Sequence, residues 1–196
     1  MVIGREFAWA HLPRTAGTAT LAMFELFPDL VEDADPADSE GQHATFTSRV
    51  SRVEGKLLAL NFRRLPEWVL SRAHRVALHG VEPDYIPAPM QSPHELSRSV
   101  VPDARLAAFT GAGSLEIDRW LRVEHLADDF LGLISEFHDP TPDERRRVRT
   151  LSLVNAIDYD HEVMHWFTPS QLRDMYRHNP CWAALEERLY DVSLVE

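Results

Sequence analysis

Residues 11–20, HLPRTAGTAT, decide how this chain is read. The apolar stretch FAWA (7–10) runs into them, and the apolar residues of LAMFELF (21–27) follow. The order is strand, glycine-containing turn, helix start. Such a junction gathers backbone N–H groups and the positive end of a helix dipole at one point, which makes it an anion site. Arg14 adds a full charge there, and Thr15, Thr18 and Thr20 offer hydroxyl donors. The segment is not a GxxxxGK[ST] loop, because Thr18 stands where lysine should follow the glycine. An ordinary tight strand-to-helix turn explains this segment, taken alone, equally well.

Composition narrows the field. The chain has 196 residues, 44% hydrophobic and 26% charged, which predicts one soluble domain spanning 1–196. A net charge of −11 argues against broad nucleic-acid binding, which needs basic surface. No apolar run reaches the roughly 18 residues of a membrane span. MVIGREFAWAHL carries Arg5 and Glu6 within its apolar pattern and reads as a first strand rather than a signal peptide. Cys181 is the only cysteine, so an internal disulfide is not expected and a reducing, cytoplasmic location is. The cationic residues are nineteen arginines and Lys56, so anion binding falls to guanidinium groups and backbone donors.

The remainder alternates strand and helix. Residues 6–12 read as a strand, followed by a helix to about Phe27, and the acidic stretch 28–42 reads as a solvated loop. A short amphipathic helix is expected over 46–54. LLALNF (57–62) has the apolar run of a buried parallel strand, and a helix follows from Pro66. Residues 80–114 hold five prolines and three glycines, with a helical candidate near 93–100. They read as a long excursion suited to an acceptor-binding flap. IDRWLRV (117–123) alternates as a strand does, HLADDFLGLISEF returns to helical period, and Thr141 and Glu144 form a capping box. TPSQLRDMYRHN and CWAALEERLYD predict two C-terminal helices. The expected class is α/β with a mainly parallel sheet flanked by helices.

A second segment, LALNFRRLPEWVLS (58–71), places Arg63 and Arg64 where a buried strand ends and Ser71 on the next helix. Ligands of open α/β sheets collect at that carboxyl edge. Read alone, the two arginines fit a surface ion-pair cluster as well.

Together the two segments resemble the sulfotransferases that use 3′-phosphoadenosine 5′-phosphosulfate (PAPS), in particular the carbohydrate, heparan 2-O-type branch. Pro13-Arg14-Thr15-Ala16-Gly17-Thr18 resembles the family's PKTAGT loop, with Arg14 in place of lysine. Arg63 and Ser71 resemble its second motif by their eight-residue separation, although Pro66 lies one position late and alignment on it selects Arg64. DRWLRVEHLADDF (118–130) is similar to a family strand-to-helix segment, and Asn155 with the C-terminal helices extends the likeness. The resemblance covers most of the chain outside the variable loops 28–42 and 80–114. It implies a three-layer, P-loop-like fold, with PAPS as donor and 3′-phosphoadenosine 5′-phosphate (PAP) as product. It implies that Arg14, Thr15, Ala16, Gly17, Thr18 and Ala19 hold the 5′-phosphosulfate. Arg63 and Ser71 would hold the 3′-phosphate, and no metal is called for. Arg14 would stabilise the leaving phosphate, and His43, about twenty residues before Arg63, falls where the branch carries its base histidine. The acceptor is a hydroxyl on a small molecule or saccharide.

One rival pattern is HEVMH (161–165). On a helix, His161 and His165 would share a face, Glu162 could activate a zinc-bound water, and Glu186 or Glu187 would have to complete the ligand set. Pro169 follows closely and no further histidine extends the motif. A non-catalytic nucleotide-binding module is the third reading. Asp128 and Asp129, adjacent on a helix, point about 100° apart and make no carboxylate dyad, Glu186 and Glu187 read as a solvated face, and Arg145, Arg146 and Arg147 as an exposed helix surface.

Overall fold

In the computed structural model, residues 1–36, 43–79, 92–151 and 158–192 are described. Five strands form one open sheet: β1 (Val2–Gly4), β2 (Phe7–His11), β3 (Val31–Ala34), β4 (Leu57–Phe62) and β5 (Arg119–Arg122), in the order β3-β1-β2-β4-β5. β2 pairs with β4, and β4 with β5, in parallel, while β1 runs antiparallel to both β2 and β3. β3 therefore points the same way as β2, β4 and β5, so four of the five strands share one direction. The sheet is α/β and mixed, because the N-terminal segment folds back on itself.

That fold-back corrects the expectation of a single first strand. Arg5 and Glu6 sit at the exposed link between β1 and β2, where Val2 opposes Trp9 and Ile3 opposes Ala8. The acidic stretch 28–42 is also not simply a solvated loop. Its residues 31–34 add β3 at the sheet edge, and 37–42 lie outside the described residues. Ion pairs make this possible: Asp33 meets Arg52 at 2.5 Å and Asp35 meets Arg49 at 2.8 Å. The Arg52 guanidinium holds the Asp33 carboxyl below its ordinary pKa. Charged residues on a short edge strand also discourage pairing with another chain.

The chain divides into two compact units. The first comprises Met1–Arg63 with Ala107–Asn155, and the second Arg64–Leu106 with Ala156–Glu196. In the first unit, α1 (Gly17–Phe24) and α6 (Leu126–Ile134) contribute to one apolar core with Phe7, Trp9 and Leu121. Phe24 bridges them, 5.6 Å from the Phe7 ring and 4.9 Å from the Phe130 ring. The turn from β5 into α6 is clamped by Arg122, whose backbone N–H and guanidinium both donate to Asp129. Asp128 instead pairs with Arg149 on α7 (Pro142–Thr150), so the two carboxylates point apart as expected. The capping box of Thr141 and Glu144 forms, and the expected helix at 46–54 is a 3-10 turn, Phe46–Arg49, running into α2 (Val50–Val53).

The second unit contains α3 (Leu65–His79), α4 (Pro93–Ser97), α8 (Val163–Trp166), α9 (Pro169–His178) and α10 (Pro180–Tyr190). Residues 80–91 of the expected flap lie outside the described residues, but its remainder is largely helical. Besides α4 it forms α5 (Val101–Phe109), which the reading of 80–114 as an excursion missed. Pro102 sits in the first turn of α5, where its missing N–H costs nothing. Asp103 on α5 accepts from the backbone N–H groups of Cys181 and Trp182, satisfying donors at the start of α10. Trp68 and Trp182, both fully buried, lie 5.4 Å apart.

Glu186 corrects a further expectation. It is fully buried rather than on a solvated face, and it accepts hydrogen bonds from the Leu65 backbone N–H (2.8 Å) and the Tyr176 hydroxyl (3.1 Å). Burial outweighs those bonds and pushes its pKa up to about 7. The same burial, with the neighbouring carboxylate, raises the Tyr176 phenol. A carboxyl whose folded-state pKa exceeds its unfolded value binds more protons when folded. Its contribution is therefore full below pH 4.5 and is lost as pH rises through about 7. The loss is on the order of 3 kcal/mol. Glu186→Gln keeps an acceptor for Leu65 and removes the charge. Urea denaturation should show its stability falling less than wild type between pH 5 and pH 8; an equal fall would contradict this assignment.

Candidate functional site

The loop between β2 and α1 is built from buried hydrogen bonds. The Thr15 hydroxyl donates to the Leu12 carbonyl at 2.6 Å, and the Thr15 N–H donates to the same oxygen at 3.2 Å. Thr15 is fully buried, so its hydroxyl closes the turn rather than facing a ligand, which corrects its expected role as a hydroxyl donor. The Thr20 hydroxyl is likewise turned inward, donating to the Ala16 carbonyl at 3.1 Å. Helical bonding begins with the Thr20 N–H to the Ala16 carbonyl. The N–H groups of Gly17, Thr18 and Ala19 precede that bond, in the first turn of α1. Ala19 contributes only its backbone to that turn, its methyl being packed in the core. Thr18 is half-buried.

Two non-glycine residues of the loop adopt left-handed backbone, Arg14 at φ 70° and Ala16 at φ 61°. Such conformations cost roughly 1–3 kcal/mol each and persist only where surrounding structure enforces them. The enforcing residue is Asn61, which sequence reasoning did not single out. From the fully buried end of β4 its amide donates to the Thr15 carbonyl (2.6 Å) and the Thr20 hydroxyl (2.8 Å). Its oxygen accepts the Trp9 indole N–H at 2.6 Å. The signal was present: Asn61 is the one polar residue in LLALNF.

Gly17 is required for a different reason. Its backbone lies against the His11 ring so closely that a methyl group added there would fall 2.0 Å from the ring's Cδ2 and 2.1 Å from Nε2. His11, the last residue of β2, is 4% exposed and stacks on Trp9 at 5.0 Å. Its other ring neighbour is His43, in an edge contact at 4.7 Å. Burial, then the proximity of His43, holds the His11 pKa well below the ordinary value, so His11 is neutral at neutral pH. His43, the expected base, thus stands one ring away from the first residue of α1.

Arg63 and Arg64 separate. Arg63, half-buried at the end of β4, donates from a terminal guanidinium nitrogen to the Arg14 carbonyl at 3.4 Å. Arg64 opens the second unit and lies over the Tyr190 ring at 4.5 Å. Ser71 belongs to the second unit too, on α3, and is 3% exposed. Asn155 lies outside the described residues.

The HEVMH pattern does not form the helical pair that zinc binding requires. α8 begins only at Val163, with Glu162 as its N-cap accepting from the Met164 N–H. His165 instead meets Asp160 at 2.5 Å, which raises its pKa, and His161 packs beside Tyr159. Among the described residues, no three His, Cys, Asp or Glu side chains are grouped to hold a metal ion. A shallow groove of about 440 Å³ beside β5, lined by Arg119, Trp120, Asp129 and Glu136, is the edge of the sheet and contains none of the loop residues. No helix among the described residues is long and apolar enough to cross a membrane.

No protein-family model matches this chain, and no curated protein or solved structure matches it.

Proposed function

We propose that this chain is a sulfotransferase of three-layer, P-loop-like architecture, moving a sulfuryl group from PAPS to a hydroxyl of a small-molecule or saccharide acceptor. The observation that carries the reading is the convergence of three expected elements within one unit. These are the 12–17 loop at the start of α1, the Arg63 guanidinium 3.4 Å from the loop carbonyl of Arg14, and His43 one ring from Gly17. The residues suit anionic phosphate groups: the N–H groups of a helix start with Arg14 beside them, and a second guanidinium, Arg63, at the same loop.

PAPS brings a sulfuryl group already attached to a good leaving group, the 5′-phosphate. The chain's part is to bind, orient and neutralise. The first turn of α1 and Arg14 hold the 5′ oxyanions, where negative charge grows as the sulfur–oxygen bond to phosphate breaks. Donors fixed in advance at such a position stabilise the transition state most. Arg14 stays protonated, so it acts by charge and hydrogen bonding without giving up its proton. His43 takes the proton of the acceptor hydroxyl as that oxygen bonds to sulfur. PAP then leaves with the electron pair on its 5′-phosphate. Arg63 is assigned to the 3′-phosphate in preference to Arg64 on its eight-residue separation from Ser71, and its contact with the Arg14 carbonyl supports the choice. The assignment of Ser71 to that phosphate rests on the resemblance alone. A cytoplasmic site of action is part of the proposal, and the lone Cys181 is in keeping with a reducing compartment.

The test is thermal unfolding with PAP. At 100 times its Kd the nucleotide should add about 2.7 kcal/mol, a rise in Tm of roughly 5–10 °C for a chain of this size. Adenosine 5′-monophosphate, lacking the 3′-phosphate, should raise it less. If saturating PAP leaves Tm unmoved, the reading is wrong.

A further inference from the structure

The His11 ring is held on three sides by the first unit. It stacks on Trp9 with planes 16° apart, presses its Cδ2–Nε2 edge against Gly17, and meets the His43 ring at 68°. Its Nδ1 is enclosed and makes no hydrogen bond among the described residues. The ring therefore presents its Cδ2–Nε2 edge to the start of α1 and ring contact to His43. Nothing in the phosphate-binding reading uses it.

We propose that His11 is a positioning residue for the transfer reaction, its ring fixing the His43 imidazole beside the first turn of α1. The proposal rests on the reading of His43 as the base. A base must arrive neutral and become cationic as it takes the proton. A neutral His11 neighbour does not oppose that gain of charge, whereas a second imidazolium would. The titratable groups bearing on His11 are His43 and, more weakly, the Met1 amine, and both disfavour a proton on His11. Its position between Gly17 and His43 also ties the base to the loop. Displacement of a reacting group by about 1 Å can cost on the order of 100-fold in rate.

His11→Ala should lower kcat by about 10- to 100-fold while PAP affinity and acceptor KM stay near wild type. His11→Phe, which restores a ring, should recover most of the lost kcat. Because substitution beside Gly17 can disturb folding, the wild-type chain supplies an independent readout by NMR. A ring-to-ring nuclear Overhauser contact between His11 and His43 is expected, with the His11 imidazole protonating only below the ordinary histidine range. Unchanged kcat in His11→Ala, or a His11 that titrates as a surface histidine with no contact to His43, overturns the proposal. So does a joint loss of kcat, PAP affinity and Tm that phenylalanine does not rescue, which would make His11 a packing residue only. A wild-type chain that neither binds PAP nor transfers sulfate overturns the parent reading instead. That failure is told apart because the ring contact persists in the NMR spectra.

Discussion

With His43 as the base of the proposed reaction, His43→Ala is expected to lower sulfuryl transfer by about 10²–10⁴-fold, the usual contribution of a general base, while PAP affinity stays near that of the wild type. The expected asymmetry comes from geometry. On the proposed reading the nucleotide is bound by the 12–17 loop and Arg63, and the buried hydrogen bonds that shape this loop run through Thr15 and Asn61. His43 contacts the His11 ring, while the buried bonds that close the loop are made by Thr15 and Asn61, so its loss should remove a proton acceptor and leave those bonds in place. The measurement is initial rate at saturating donor, set beside PAP affinity by calorimetry. A variant that transfers at the wild-type rate would remove His43 from the mechanism. A variant that loses PAP affinity in proportion to its rate would make His43 part of the nucleotide site.

Asn61→Leu is expected to lower the free energy of unfolding by about 3–5 kcal/mol, although leucine keeps the same branched heavy-atom skeleton. Three hydrogen bonds end on this fully buried side chain, and leucine can replace none of them. The Trp9 indole N–H and the Thr15 carbonyl would be left without these partners inside the core, and each such group costs about 1–3 kcal/mol. The loss should extend to ligand binding, since the left-handed backbone at Arg14 and Ala16 is kept in place by the Thr15 anchor. Urea denaturation at constant m-value gives the stability term, and the PAP-induced rise in Tm gives the loop term. Should Asn61→Leu unfold at the wild-type midpoint, the loop is held by something other than Asn61.

The fold class was legible because periodicity and punctuation carry it. LLALNF is apolar throughout and forms the central strand β4, bounded as expected at 57 and 62. Thr141 with Glu144 marked the start of α7 by a cap that needs only local bonds. Elements whose stability is borrowed were not legible. β3 consists of four residues, two of them acidic, and it exists because β1 lies beside it and Arg49 and Arg52 neutralise its surroundings. α5 was hidden by Pro102, which reads as a breaker unless its place in the first helical turn is known.

For the site, the sequence by itself determined that residues 11–20 bring a helix start, a glycine and Arg14 together, since adjacency along the chain and local geometry suffice for that. It also marked Arg63, Ser71 and His43 as candidates. Only the tertiary structure decided which hydroxyls are spent inside the turn, that Arg63 donates to the Arg14 carbonyl, and that Glu186 is buried. It alone brought His43 to His11, and Asn61 under Thr15. Those pairs are separated by 32 and 46 residues. Local propensity extends over a turn or two, whereas the direction of a buried polar group is set by whatever the packed core leaves for it to bond.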